Sequence, residues 1–395
     1  MPRAVPAPPP AGPPGRLTTA TPKGPQIAVT ARDRQIPKQN FYVCALGNPT
    51  SAAYTSQMHA LRLLGRLEFQ REDDFETPSD FVSMFLSQGF DILLMPNPYG
   101  NKRRLAIYQE FRRLSMPVLC FDRGGLPNSW FFDVGFNADS PTYDVDQWDR
   151  PLTDDQAEET RRYVDSIRGS QTALEAQGAR VPTEELRASL SPEGKKILFV
   201  PFQRPNDTTI RYFGGRDDAY ARFVRELTTL TTRWAQRDAD WTIVAKKHPL
   251  ETERPTSDLL FADDDTHIHD LLEACDAVAL VNSGCGLLAA LFDKPVYHYG
   301  RVYYGHPRLN RGFASAAELD HFLEEVPVRF DSQTRDRLVR YLRDEVYSFG
   351  DFQTQLVREP SGSMRRATHN IEFETIRFPI SRVLEKKKVG EVFFL

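Results

Sequence analysis

Short apolar runs recur along the chain, each separated from the next by a stretch of helical composition, and the alternation comes in two blocks. In the first block the runs are Phe41–Leu46, Asp91–Met95 and Pro117–Phe121, with helix-like stretches at about 51–64 and 102–114. In the second they are Ile197–Val200, Trp241–Ala245, Ala277–Val281 and Pro295–Tyr299. Helical stretches at about 217–237, 270–275 and 283–292 lie between them. Runs this short and this uniformly apolar are too brief to be helices. They fit strands of a parallel sheet covered on both faces, with each helix making the crossover.

The pattern predicts an α/β fold of two Rossmann-like doubly wound domains, at 39–150 and 195–315, with a cleft between them. The polar, helix-prone stretch 151–194 reads as a helical linker. It opens on the capping chemistry of Thr153 and closes on the turn at Ser191–Gly194. Helices near 315–325 and 331–346 extend into a C-terminal helical region over 316–395. Residues 1–38 are rich in proline and poor in large apolar side chains, which predicts a disordered tail.

At 395 residues, with 40% hydrophobic and 26% charged side chains, the chain is long enough for two cores. A formal charge of -4 excludes a global basic field, so nucleic acid is not an expected partner and any anion must meet a local site. No apolar run approaches the roughly 18 residues that span a membrane, and the N-terminus lacks the apolar segment of a signal peptide. Cys44, Cys120, Cys275 and Cys285 are scattered, without disulfide or zinc spacing, which fits a reducing, cytoplasmic setting.

Four segments at strand ends look chemical. Asn282, Ser283, Gly284, Cys285 and Gly286 carry the chain from a buried strand straight into a helix. Their amides suit a phosphate, though Ser283 as a cap and the glycines as packing residues explain them equally well. Lys246, Lys247, His248 and Pro249 follow the preceding strand, where His248 is a donor for a phosphate oxygen or a structural histidine beside a solvated lysine pair. The loop after Val200 carries Gln203, Asn206, Asp207 and Arg211. Asp207 offers a nucleophile or base and Arg211 a bidentate clamp, or the loop is a turn that caps the next element. Asp122 ends a first-domain strand and should face the cleft, with Asn137 and Ser140 adding polar groups, while Trp130 and Phe131 read as core. His267 and His269, beside Asp263–Asp265, lack a convergent third ligand and read as surface rather than metal. A Walker A loop, a GxGxxG turn and a serine elbow are not found.

Taken in order, these segments resemble the capsule polysaccharide synthesis family, the KpsS/KpsC type of retaining Kdo (ketodeoxyoctonate) transferase. The matching pieces are Phe121-Asp-Arg-Gly-Gly-Leu-Pro, Gly135-Phe-Asn-Ala-Asp-Ser, Val200-Pro-Phe-Gln-Arg-Pro-Asn-Asp-Thr-Thr-Ile-Arg, Lys247-His-Pro, Asn282-Ser-Gly-Cys-Gly and Lys294-Pro-Val-Tyr-His-Tyr-Gly with Tyr303-Tyr. The resemblance implies a GT-B enzyme that takes Kdo or a related sugar acid from a CMP-activated donor, without a metal or other cofactor. His248 and Ser283 fall where the family holds CMP, Asp207 where a nucleophile is expected, and Asp122 where an acid/base is proposed. The family often has Glu at that last position. The implied partners are a nucleotide-sugar donor and a glycan or lipid-linked acceptor. A peripheral contact with the inner membrane or the capsule assembly machinery goes with them, for which Lys386–Lys388 are a weak signal. Two other readings stand beside this one: a CDP-polyol phosphate transferase of the teichoic-acid type, and a non-catalytic protein of capsule assembly or export.

Overall fold

The computed structural model describes residues 40–171, 177–358 and 364–383, all within one compact unit that begins at Lys38. The tail expected over 1–38 and the lysines at 386–388 lie outside the described residues. Among the described residues no helix is long and apolar enough to cross a membrane.

Strands β1 (Phe41–Leu46), β2 (Gly65–Gln70), β3 (Ile92–Pro96), β4 (Val118–Arg123) and β5 (Ser129–Asp133) build the first sheet. The first four run parallel in the order β2-β1-β3-β4, and β5 turns back antiparallel against β4. Val43 to Leu46 and Leu93 to Met95 are wholly buried, because helices cover both faces of these strands. The helix Pro78–Ser87 starts at a capping box between Thr77 and Asp80, and Asn101 caps the helix Lys102–Arg113. Strand β2 was not legible as an apolar run, since Arg66 and Glu68 alternate with Leu67 and Phe69 on an edge strand.

The second sheet holds β6 (Lys196–Pro201), β7 (Trp241–Lys246), β8 (Leu260–Phe261), β9 (Ala277–Leu280), β10 (Val296–His298) and β11 (Asn310–Gly312). All pairs are parallel, in the order β11-β10-β9-β6-β7-β8. The helix Ala219–Arg237 buries Phe223, Leu227, Leu230 and Trp234, a 4-3-4 spacing that forms one stripe against this sheet. The two doubly wound units expected from the sequence are therefore present.

The linker contains the helix Asp154–Arg168, opened by a capping box of Thr153 and Gln156, and the helix Thr183–Leu190. Between them Arg180 pairs with the fully buried Asp270, and from the second helix Arg187 bonds Asp276 at 2.8 Å. His267 and His269 belong to this contact. They were read as surface residues, and the structure corrects this: they are 2% and 1% exposed, with ring nitrogens 3.2 Å from the carbonyl oxygens of Gln171 and Ser170. Their polarity serves the backbone of the linker, which no local pattern could show.

The C-terminal region needs a larger correction. Helices Ala316–Glu324 and Ser332–Tyr341 form as expected, and a single π-helical turn runs to Val346. The chain then makes a long antiparallel hairpin of β12 (Tyr347–Arg358) and β13 (Met364–Thr375). Strand β12 pairs with β5, Tyr347 opposite Phe131 and Ser348 opposite Trp130, so the hairpin completes the first sheet. The region 316–395 is thus not a helical appendage. Its β-prone residues find their partner more than 200 positions earlier in the chain, beyond the reach of a local reading.

Candidate functional site

In the second sheet β6 has β7 on one side and β9 on the other, so the switch point of strand order lies between β6 and β9. Gln203 leaves the carboxyl end of β6 and Asn282 that of β9. The Asn282 amide N–H donates to Gln203 Oε1 at 3.1 Å, and Gln203 Nε2 donates to Asn282 Oδ1 at 3.2 Å. Gln203 Nε2 also donates to Thr209 Oγ1 at 3.1 Å, and Asn282 Nδ2 to the Thr209 carbonyl at 2.8 Å. Both amides are buried, 8% and 4% exposed, and bonded to each other and to Thr209. They were expected to hold the donor; the structure makes them the frame of the loop that follows β6.

That frame carries Asp207. Its Oδ1 accepts from the Thr209 N–H and from Thr209 Oγ1, each at 2.9 Å, which caps the helix Thr208–Phe213. Asp207 is half-buried and, with Thr208 and Thr209, lines a cavity of about 240 Å³. The opposite wall comes from the first sheet: Asp122 at the end of β4, Asn97 after β3, Phe131 on β5, and Phe136, Asn137 and Tyr143 beyond it. Both candidate carboxylates thus line one cavity, approached from different sheets.

Burial pushes the Asp122 carboxyl above its usual range, and the charge on Asp207 adds to the effect. The Arg123 N–H, which donates to Asp122 Oδ1 at 2.8 Å, the Arg123 charge and Asn97 oppose it. Asp122 stands beside Phe131, itself opposite Tyr347, on the cavity face. Arg123, which stands beside Trp130 and reaches Thr368 Oγ1 on β13 at 3.0 Å, also lines the cavity.

Tyr303, from the second unit, and Tyr347, from the hairpin, complete the lining. Tyr347 exchanges hydrogen bonds with both Tyr303 and Tyr143, and burial drives all three phenols far above their ordinary range. They are neutral hydroxyl groups at any physiological pH. Gly125 lies where the two units meet: a Cβ there would stand 1.9 Å from the Tyr303 hydroxyl. Of these residues, Tyr143, Tyr347 and Asn97 were missed by sequence reasoning. Tyr347 sat in a region assigned to helices, and Asn97, directly after β3, belongs to no motif that was singled out.

The residues expected to face a phosphate occupy the same sheet edge but do not line this cavity. His248 follows β7 and is half-buried; its Nδ1 accepts the Leu250 N–H at 3.1 Å, which puts the proton of the neutral ring on Nε2. Pro249 is exposed. Lys247 turns back to the Glu251 carbonyl at 2.5 Å and to Asp264 at 3.3 Å, and Lys246 is buried against the carbonyls of Asp263 and Asp264. The two lysines thus serve the loop after β7. Ser283 is half-buried and Gly284 exposed at the start of the helix Cys285–Leu291. The expected seat of four amides is reduced, because the Cys285 N–H donates to Ser283 Oγ and the Gly286 N–H to the Ser283 carbonyl, both at 3.1 Å. Gly286 packs against Tyr304, whose hydroxyl a Cβ would meet at 2.0 Å, and burial pushes the Cys285 thiol up to about 12. Arg211, expected as a carboxylate clamp, is exposed, lies over the Tyr212 ring and is not part of the cavity lining. Ser140 is buried and donates to Asp133 at 2.6 Å, a structural role.

Two α/β units whose strand ends meet on one cavity, one of them wholly parallel and doubly wound, are a GT-B framework. Residues 160–323 match the family of capsule polysaccharide biosynthesis proteins. Among solved structures, the chain is similar to Thermosulfurimonas dismutans KpsC, beta Kdo 2,4 transferase. The two share 15% identity over 88% of this chain and 98% of that one, with a TM-score of 0.55. It is also similar to Thermosulfurimonas dismutans KpsC, beta Kdo 2,7 transferase, at 13% identity over 90% and 100% of the two chains, with a TM-score of 0.49. No curated protein matches the sequence.

Proposed function

We propose that this chain is a glycosyltransferase of capsule-type polysaccharide synthesis that transfers Kdo or a related sugar acid from a CMP-activated donor, with retention. One observation carries the reading: Asp207 and Asp122 enter a single cavity from the two halves of a GT-B fold. In the first displacement a carboxylate oxygen of Asp207 bonds the anomeric carbon, and the bond to the phosphate oxygen breaks with its electron pair leaving on CMP. In the second, the acceptor hydroxyl oxygen attacks the same carbon, its proton passes to Asp122, and Asp207 departs as carboxylate. Two inversions give net retention.

A carboxyl with a raised pKa is a stronger base once ionised, which suits Asp122 to the second step. The CMP phosphate would lie on the second unit, within reach of His248 and of the exposed chain at Ser283 and Gly284. A monoester leaving group needs only modest neutralisation there. The acceptor, a glycan or a lipid-linked starter, would approach from the first unit, where the aromatic rings of Phe131, Phe136 and Tyr143 line the wall.

The test is a titration with CMP, CDP and UDP followed by thermal unfolding, then a transfer assay with CMP-Kdo. Selective stabilisation by CMP, lost in His248→Ala, together with transfer from CMP-Kdo, is the expected result. Stabilisation by CDP alone would move the chain to the polyol phosphate class, and no response to any nucleotide would favour a protein of capsule assembly without catalysis.

A further inference from the structure

The hydrogen bonds around Asp207 form a directed chain whose polarity is set at its far end. The Asn282 amide is a backbone N–H and can only donate, so the Gln203 side-chain atom it meets at 3.1 Å must be the carbonyl oxygen. This orients the Gln203 amide with Nε2 toward Thr209 Oγ1, at 3.1 Å. Having accepted that bond, the Thr209 hydroxyl turns its own proton to Asp207 Oδ1, at 2.9 Å, beside the Thr209 N–H at the same distance. Both donors address Oδ1. Among the described residues Oδ2 of the half-buried Asp207 accepts no hydrogen bond, and Asp207 lines the cavity.

We infer that Thr209 is the positioning residue for the nucleophile: with Gln203 behind it, it holds Oδ1 of Asp207 and reserves Oδ2 as the oxygen that bonds the sugar. This rests on Asp207 being the nucleophile. A helix cap alone needs one acceptor and one N–H, and the Thr209 amide already satisfies it. The hydroxyl bond and the buried glutamine that orients it exceed what the cap requires. Two bonds on one oxygen fix the plane of the carboxylate, and a fixed plane determines which lone pair meets the anomeric carbon.

The experiment compares Thr209→Val and Thr209→Ser in the full-length chain, measuring kcat and donor KM for transfer, with CMP affinity and unfolding midpoint as controls. Thr209→Val keeps the shape and the backbone cap but loses the hydroxyl. It is expected to lower kcat about 10- to 100-fold, the worth of a hydrogen bond to a charged group, while donor KM and CMP affinity stay within twofold. Thr209→Ser restores the donor and should recover most of kcat. Gln203→Glu, which replaces the donating amide by an acceptor, should match the valine variant. A valine variant with wild-type kcat, or a serine variant as slow as the valine, would overturn the inference. Asp207→Asn is assayed alongside. If it retains transfer, the nucleophile assignment itself falls; if it is inactive while Thr209→Val is not, only the positioning role is lost.

Discussion

Asp122 and Asp207 line the same cavity from different sheets, and the charge on Asp207 disfavours ionisation of Asp122. Burial accounts for most of the rise in the Asp122 pKa, and the Asp207 charge adds to it. Two neighbouring carboxyl groups with unequal environments are the usual way in which a site separates a nucleophile from a proton acceptor.

Asp207→Ala is expected to remove transfer and leave CMP binding nearly intact, because the residues proposed to hold the nucleotide, His248, Ser283 and Gly284, lie at other strand ends. Calorimetric titration with CMP and a radiolabelled transfer assay measure the two separately. A fully active variant would dismiss the covalent route.

Asp122→Asn should lower kcat about 100- to 10,000-fold, the range for loss of an acid/base group, while making the protein more resistant to denaturant at neutral pH. The sign follows from the raised pKa. Between the unfolded and folded values the native state binds the proton more tightly than the unfolded chain. Stability contributed by the neutral carboxyl is therefore lost as pH rises through that window, and a neutral amide retains it. Urea midpoints at pH 7 check this; an unchanged or lower midpoint would contradict it.

Acid should loosen the linker. Burial is the main cause that lowers the His269 pKa to about 4 from 6.5, with the neighbouring His267 adding to it. The native state here binds fewer protons than the unfolded chain, so the stability is complete above about pH 6.5 and is lost as pH falls from there toward 4. Arg180 and Glu273, which face the same ring, act in opposite directions. The loss is expected to be on the order of 2 kcal/mol. His269→Gln, which cannot charge, should flatten the stability curve over that range; equal slopes in both proteins would refute the assignment.

Gly125→Ala forces its Cβ to within 1.9 Å of the Tyr303 hydroxyl, at the contact between the two units. Displacing Tyr303 also disturbs its bond to Tyr347. A loss of about 1–3 kcal/mol in stability is expected, with a fall in kcat larger than that of an exposed Gly→Ala control such as Gly100→Ala, where a Cβ meets nothing. Stability and kcat both at the level of wild type would show that the seam can give way.

The parallel sheets were legible because their strands are buried on both faces and therefore read as unbroken apolar runs, as in Val43–Leu46 and Leu198–Val200. Strand β2 and the hairpin β12–β13 were not, since an edge strand and an exposed ribbon alternate polar and apolar residues. At the site, Asp122 and Asp207 could be placed from the rule that strand ends face the cleft. The role of Gln203 and Asn282 could not, because two buried amides 79 residues apart carry no sign of their mutual bonds. The direction of Arg211 could not be read for a related reason. A guanidinium one turn into a helix can point to solvent as readily as to a ligand, and only the rotation of the helix Thr208–Phe213 decides.

The hairpin that closes the first sheet also sets a clock. Tyr347 lies on the cavity wall and Thr368 holds Arg123, which lines the same cavity, yet Tyr347 and Thr368 leave the ribosome only after the entire second unit has been made. The nascent chain can fold its parallel sheets one after the other, but the cavity wall is incomplete until the hairpin arrives. Translation of the last strands is therefore the step that closes the cavity between two folded halves.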